Sequence, residues 1–451
     1  MKKIGIFLIN KQFIRSWIDS GLIHHLEATG KFHVTVFAGK EIFPLLPTDG
    51  SITTSYLGEI NSSTWTKHTL AMGYAKLAKR SSTFQFKTIR KFFPETLFIP
   101  RHGNLLFKVA WFMRSFYRFL GNLSDNWFTL LYFLPPARFV IRRYVSNLKE
   151  SFDLPSEIKK EHLDWLVIPA ASGIGYVTDL LAGAKSAGLK TLVSIDNWDH
   201  FTGKSIYPIK PNYFTVMGKL DVQHAVKIHD CHPSQVLPIG LPRFDFYRSI
   251  SHECLETKSK DTKRVLYLGF SLAHSEEFLV DFIAEQTLQR YGHANVEIHY
   301  RPHPGPLPRF DGFKLKNPHV LTTKYGDLGR TAMPDMDDQF LNELLLADVV
   351  VGPPTTLFLE AMLVGKVCVL DLTNDGFHRT TAGNSAKWHT HMQDLTKIPD
   401  LPMAHSKEDL VTEVYKALDS EKRCNHQDVA DLYNLHDPLF REQLATFLEE
   451  N

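Results

Sequence analysis

Three stretches of this sequence put phosphate-suited side chains where an apolar run ends. The first is Val296-Glu-Ile-His-Tyr-Arg-Pro-His-Pro-Gly305. Here Arg301 closes a strand pattern, and His303 follows it in a loop stiffened by proline on both sides. A guanidinium clamps phosphate oxygens bidentately. An imidazole held between prolines loses little freedom on being aimed at a phosphate, and it can donate to a bridging or departing oxygen. The second stretch is Val349-Val-Val-Gly-Pro-Pro-Thr-Thr-Leu-Phe-Leu-Glu360. Thr355 and Thr356 stand where a helix begins, and free N–H groups with the positive end of the helix dipole favour an anion there. Glu360, one turn on, carries a carboxylate suited to sugar hydroxyls. The same threonines would also serve as an ordinary N-cap pair. The third stretch, Gly269-Phe270-Ser271, directly follows the apolar run Val265 to Leu268. A Gly-Ser turn before a helix can cradle phosphate through its backbone, although neither G-x-G-x-x-G nor the P-loop pattern is present.

Acid–base groups gather elsewhere, in Ser194-Ile-Asp-Asn-Trp-Asp-His200, again after an apolar run. Asp196, Asp199 and His200 are the candidates for a general base that takes a proton from an acceptor hydroxyl. The alternative is a turn-forming Asx cluster. Ala171-Ser-Gly-Ile-Gly175 is a further glycine-rich turn, equally consistent with tight packing, and Arg243 in Gly240-Leu-Pro-Arg-Phe-Asp245 is a candidate to face the same ligand space. His24-His25 and the pair His389 and His391 lack metal-site spacing and read as surface or loop residues. Asp335, Asp337 and Asp338 read as a solvated loop. The chemistry so assembled requires no metal, because basic groups and a helix dipole can replace one.

These turns need elements to position them, and the chain supplies two alternating series. Strand, helix, strand is predicted over Ile4–Ile9, Phe13–Ala28 and His33–Phe37. The pattern lapses from about Leu45 to Glu161 and resumes through Trp165–Pro169, Gly175–Ala187, Thr191–Ile195, Asn212–Val216, Lys219–His229 and Gln235–Pro238. The polar run Ser251–Lys263 reads as a linker. A second series follows, with strands at Arg264–Leu268, Val296–Tyr300, Val320–Thr322, Val349–Val351 and Val367–Leu370. Its helices are predicted at Ser275–Arg290, Gln339–Leu346 and Leu357–Leu363. The expected fold is therefore α/β, with two Rossmann-like doubly wound domains facing a central cleft. Residues 1–250 form the first, with a helical insertion around 45–160. Residues 263–430 form the second, and 431–451 form a closing helix.

The chain has 451 residues, ample for two domains, and a formal net charge of +2, which gives no reason to expect nucleic acid as a partner. Cys231, Cys254, Cys368 and Cys424 show no disulfide or zinc spacing, as suits a reducing compartment. The opening apolar run is too short for a leader and reads as a first strand. No apolar stretch reaches about 18 residues. The expected location is cytoplasmic. Between Lys87 and Val145, ten Lys or Arg stand against Glu95 and Asp125, among fifteen aromatics that include Trp111, Phe112, Phe116, Tyr117, Trp127 and Phe128. That mixture suits peripheral contact with an anionic membrane, at the inner face of the plasma membrane, or equally a helical insertion packed on the body of the protein.

Taken together, Arg301-Pro-His-Pro304, Thr355-Thr356 with Glu360-Ala361 and Gly365, Ile195-Asp-Asn-Trp-Asp199 and Gly240-x-Pro-Arg-Phe-Asp245 resemble the glycosyltransferase-B superfamily. The resemblance covers mainly residues 165–375. It is nearest the surface-polysaccharide branch, with CDP-glycerol glycerophosphotransferases, capsule and lipopolysaccharide glycosyltransferases, and UDP-N-acetylglucosamine 2-epimerases. It implies a nucleotide-sugar donor bound as substrate, with no resident cofactor, with phosphate roles for His303, Thr355 and Thr356 and a donor-side role for Glu360; the turns themselves add Ser271 and Arg301 to the groups expected to hold the donor phosphates. It also implies a glycan or lipid-linked acceptor. The His-Gly-Thr motif of the glycerophosphotransferases is absent, and Pro353-Pro-Thr-Thr356 stands where the epimerases carry a Gly-Gly helix start. Both departures favour sugar transfer over glycerophosphate transfer or epimerisation. A non-catalytic scaffold for polysaccharide assembly is the remaining alternative.

Overall fold

The computed structural model describes the chain apart from residues 12, 59–61, 93–104, 107, 110–111, 114–115, 118–119, 122–134, 148–152, 171–174, 249–261, 304–313, 325–333, 377, 421–432 and 435–437. The described residues divide into two compact units. The first holds the chain up to residue 246 apart from 95–114, and also holds 431–451. The second holds 95–114 and 247–430.

The first unit is built on seven strands: β1 (Lys2–Leu8), β2 (Phe32–Ala38), β3 (Thr53–Tyr56), β4 (Trp165–Ala170), β5 (Lys190–Ile195), β6 (Tyr213–Thr215) and β7 (Val236–Leu237). Their order is β3-β2-β1-β4-β5-β6-β7, and every recorded pair is parallel. Ile4 to Leu8 are all buried. A parallel sheet is covered on both faces, so its strands read as unbroken apolar runs. The predicted helix Phe13–Ala28 is instead a π-helical turn, Ile14–Asp19, followed by the α-helix Leu22–Ala28. Gly21 breaks it, in the left-handed region at φ 74°. The closing helix Phe440–Glu450 packs on this unit, with Phe440 edge-on to Trp17 and Phe447 edge-on to Trp165. Asp245 caps its start, accepting from Phe440 N at 2.8 Å and Arg441 N at 3.1 Å. At its end Lys2 Nζ donates to the otherwise unsatisfied carbonyls of Leu448 and Glu449.

The second unit has β8 (Lys263–Leu268), β9 (Val296–Arg301), β10 (Val320–Thr322), β11 (Val349–Gly352), β12 (Val367–Asp371) and β13 (Met403–Ala404). Their order is β10-β9-β8-β11-β12-β13, again parallel throughout. Helices Glu276–Tyr291 and Lys407–Asp419 bury Val280, Ile283, Leu410 and Val414 in a core with Val265, Val349 and Val369. The expected sheet closed on β12, but the chain adds β13. The supposed loop carrying Asp335, Asp337 and Asp338 is helical, within Pro334–Leu346. His389 and His391 are buried rather than superficial, and His389 Nδ1 lies 2.9 Å from the Ser385 carbonyl oxygen.

In both sheets the strand order changes direction at the first strand of the series, between β1 and β4 and between β8 and β11. Ligands of open α/β sheets bind beyond the carboxyl ends of the strands at such switch points.

Candidate functional site

In the second unit the switch point brings the predicted turns together. Gly269, just past β8, donates its N–H to the Arg301 carbonyl at 2.7 Å. A methyl group on Gly269 would sit 2.5 Å from His303 N, 2.8 Å from Pro302 C and 2.9 Å from Arg301 O. Glycine is thus the residue that lets the Arg301-Pro302-His303 backbone lie against the end of β8. On the other side of β8, a methyl on Gly352 would lie 3.0 Å from Leu268 Cβ and 3.2 Å from Leu268 O. Ser271 is exposed beyond this contact and His303 is half-buried. Thr355, in extended backbone, caps the helix Thr356–Leu363 by accepting from Phe358 N at 3.2 Å. The capping reading of Thr355 is therefore realised, and an N-cap at the end of a central strand is also where an anion binds.

Two predicted donor residues are placed differently from their neighbours. Arg301 is 4% exposed, donates from Nη1 to Glu343 Oε2 at 2.7 Å, and lies 4.8 Å from the Phe340 ring centre. Glu343 also accepts from Thr323 Oγ1 at 2.8 Å, so the arginine anchors the end of β9 to the helix Pro334–Leu346. Glu360 is 4% exposed, on a helix that also buries Phe358, Leu359, Ala361 and Met362.

The backbone of the Gly269–Ser271 turn is largely engaged within the protein. Besides the Gly269 bond, Phe270 N donates to Glu276 Oε1 at 2.7 Å, and Tyr300 Oη donates to Glu276 Oε2 at 2.7 Å. Sequence reasoning missed this buried acceptor, and it also missed a cluster around Asp371 and His274. Asp371 ends β12 and accepts from Tyr267 Oη at 2.6 Å, with His274 Nε2 at 3.3 Å. The signal available beforehand was an acidic residue at a strand end with a histidine and two glutamates (274–277) opening the next helix.

In the first unit, β5 delivers Asp196 and Asp199 to its carboxyl end. Asp196 is half-buried, while Asp199 Oδ2 forms an ion pair with Lys204 Nζ at 2.7 Å. His200 is buried in the π-helical turn His200–Lys204, with Nδ1 3.2 Å from Ser205 Oγ, and burial pushes its pKa down to about 4. Its imidazole is therefore neutral near pH 7 and buried, whereas Asp196 and Asp199 are partly exposed. Arg243 is half-buried, 5.4 Å from the Phe244 ring centre. The turn at Ala171–Ile174 lies outside the described residues. Among the described residues no group of three or more His, Cys, Asp or Glu side chains is arranged to hold a metal ion.

Part of the insertion packs on the body. Phe84 and Phe86 of the helix Ser82–Phe92 are fully buried, and Lys87 Nζ donates to the Gly203 carbonyl at 2.8 Å. Further along, the described residues Leu105, Leu106, Val109, Phe112, Met113, Phe116, Tyr117 and Leu120 are helical and exposed, as are Phe139, Val140 and Tyr144. Trp111, Trp127 and Phe128 lie outside the described residues. No described helix is long and apolar enough to cross a membrane.

No protein-family model matches the chain, and no curated protein matches it. Solved structures do. A Listeria monocytogenes protein with a provisional assignment as a UDP-N-acetylglucosamine 2-epimerase matches 100% of this chain and 98% of its own, with TM-score 0.52 and 12% identity. The UDP-N-acetylglucosamine 2-epimerase of Methanocaldococcus jannaschii matches 100% of both chains, with TM-score 0.48 and 12% identity. Arabidopsis thaliana UGT89C1, complexed with UDP, matches 100% of this chain and 99% of its own, with TM-score 0.47 and 10% identity. The Listeria likeness, running the whole length, establishes the fold as two Rossmann-like α/β domains of the glycosyltransferase-B type expected from the sequence.

Proposed function

We propose that the protein is a glycosyltransferase that moves a sugar from a nucleotide-activated donor to a hydroxyl of a glycan or lipid-linked acceptor. The supporting observation is the contact of two turns in the second unit, where Gly269 permits the His303 loop to lie against the turn leading to Ser271. In this reading Ser271, His303, Thr355 and Thr356 hold the donor phosphates, and Glu360 lies on the donor side. Arg301 contributes through the loop it anchors, since its guanidinium is engaged by Glu343 and Phe340. The nucleotide sugar is the substrate, and the reading calls for no resident cofactor or metal.

The proposed step is a substitution at the anomeric carbon. The acceptor O–H proton passes to Asp196, or to Asp199 if Lys204 releases it. The acceptor oxygen bonds to the sugar carbon, and the bond from that carbon to the phosphate oxygen breaks. The electron pair leaves with the nucleotide phosphate, whose charge is met by His303 and the helix start at Thr355 and Thr356. For the insertion, the exposed Leu, Phe and Tyr side chains interspersed with basic residues support contact with an anionic bilayer, where a lipid-linked acceptor would be met. The test is incubation with UDP-, CDP- and GDP-linked sugars, with and without a bacterial lipid extract. Acceptor-dependent release of nucleotide is the expected result. Conversion of UDP-N-acetylglucosamine to its 2-epimer without acceptor would replace the reading by epimerisation. Undiminished glycan production by a folded His303→Ala variant would replace it by a scaffold.

A further inference from the structure

The loop after β8 and the segment after β12 are joined by a buried polar cluster that the proposed chemistry leaves unused. Asp371 is fully buried, and besides Tyr267 and His274 it accepts from Thr373 N at 2.8 Å. On the other edge of the His274 ring, Nδ1 lies 3.8 Å from Asp375 Oδ2. Asp375 in turn accepts from Ser275 N at 3.0 Å and lies 2.6 Å from His378 Nδ1. Thr380 Oγ1 donates to the Ala273 carbonyl at 3.2 Å, and Glu276, at the start of the following helix, accepts from Phe270 N. Residues 270, 273, 274, 275 and 276 are thus each tied down, three of them by the segment 371–380. β8 and β12 both flank β11, so the cluster joins the two loops on either side of the strand that leads to Thr355.

We propose that His274 is a positioning residue for nucleotide binding: joined to Asp371 and Asp375, it locks the turn Gly269–Ser271 and residues 371–375 into one rim that receives the donor's diphosphate. The inference rests on the donor-site reading above. The chemistry of the cluster supports it. Burial is the largest single influence, pushing the His274 imidazole down and the Asp371 carboxyl up, yet their mutual hydrogen bond and charge overcome it. The imidazole ends above its ordinary range and the carboxyl below its own. The groups facing the ring are Asp371 of β12, Asp375 and His378 of the following segment, Thr373, Tyr267 of β8 and Glu276 of the helix. Loss of the ring proton leaves three carboxylates around a neutral imidazole and so weakens the tie that His274 makes between the two loops, leaving the Asp375–Ser275 and Thr380–Ala273 hydrogen bonds to hold them. A raised histidine pKa means that the lock is complete below about pH 6.5 and is lost as pH rises through the folded value.

The experiment is calorimetric titration of UDP, CDP and GDP into the full chain from pH 7 to pH 9, a window in which a diphosphate, with its last pKa about 6, stays ionised. Wild type, His274→Gln and Tyr267→Phe are compared, with thermal unfolding run alongside. Wild-type affinity is expected to fall as pH rises, and to fall more steeply than that of His274→Gln, because the raised imidazole gives up its proton on the way up. His274→Gln is expected to bind at least tenfold more weakly at pH 7 and with a flat pH profile. Tyr267→Phe removes a neutral partner of Asp371, so it should bind a few-fold more weakly and keep the pH dependence. A purely structural histidine would lower the melting temperature without altering the profile. A flat wild-type profile, or a folded His274→Gln that binds as wild type does, overturns the inference and leaves the donor site standing. If His274→Gln does not fold, the wild-type profile and Tyr267→Phe decide. If wild type binds none of the three nucleotides, the donor-site reading falls and this inference falls with it.

Discussion

Gly269→Ala is the substitution whose consequences the structure fixes most tightly. The added methyl would meet three backbone atoms, at 2.5, 2.8 and 2.9 Å, all in Arg301–His303. Carbon and nitrogen in ordinary contact stay roughly 3.5 Å apart, so the two turns must separate by about 1 Å. No side-chain rotation relieves the clash, because the atoms met belong to the chain itself. Overpacking of this kind costs about 1–3 kcal/mol. Stretching the Gly269–Arg301 hydrogen bond adds about 0.5–1.5 kcal/mol. Together that is about 1.5–4.5 kcal/mol, and at about 2–4 °C per kcal/mol for a domain of this size the melting temperature should fall by about 3–18 °C. Displacing the His303 loop by about 1 Å should also cost up to about 100-fold in turnover. Differential scanning calorimetry reads the first effect, and nucleotide titration with transfer rates measured well below the new midpoint reads the second. Gly121→Ala is the control, since among the described residues a methyl there meets nothing within 4 Å. A Gly269→Ala protein as stable as wild type would refute the packing argument. One that is destabilised but binds nucleotide normally would refute the role given to the turn.

Thr355→Ala removes the cap on the helix Thr356–Leu363 and should cost about 1 kcal/mol in urea unfolding. If the donor reading holds, it should also weaken nucleotide binding, whereas Thr355→Ser should retain both. Phe440→Ala empties a buried site against Trp17, and about 3–5 kcal/mol of stability should be lost in the same assay. Burial holds His200 and His229 down at about pKa 4, below the ordinary 6.5, so the unfolded chain binds their protons first. Their contribution to stability should be present above about pH 6.5 and disappear as pH falls towards 4, with His229→Gln showing a shallower slope in urea midpoint against pH. A slope unchanged in that variant would contradict the assignment. Phe139→Asp with Val140→Asp should reduce co-sedimentation with vesicles containing phosphatidylserine, and retention at wild-type levels would remove the bilayer from the account.

Most of the strands were legible because parallel sheets bury both faces. Val349–Val351 and Ile4–Leu8 are continuous apolar runs, and the turn residues Gly269, Pro302 and Pro353 punctuate them. The helix Lys219–His229 was readable to the residue. β3 (Thr53–Tyr56) was not, because an edge strand of Thr-Thr-Ser-Tyr carries no apolar alternation. β13, two residues long, gives no periodicity at all. The candidate donor turns were visible as residue types at strand ends. What could not be read was how their groups are spent. Arg301 has the chemistry of a phosphate clamp, but its engagement by Glu343, 42 positions away, follows only from the packing of Pro334–Leu346 on the sheet. His389 and His391 looked superficial because polarity suggests exposure, while backbone acceptors such as the Ser385 carbonyl allow an imidazole to be buried. The His274–Asp371 pair is separated by 97 positions and has no local signature.

The central claim is that the turns at the ends of β8, β9 and β11 hold the phosphates of a nucleotide. Equilibrium titration of UDP, CDP and GDP into wild type and into His303→Ala tests it most directly. Saturable 1:1 binding of at least one nucleotide, weakened tenfold or more in a His303→Ala protein of unchanged melting temperature, is the result predicted. Absence of binding by all three at millimolar concentration, or equal binding by both proteins, would contradict it.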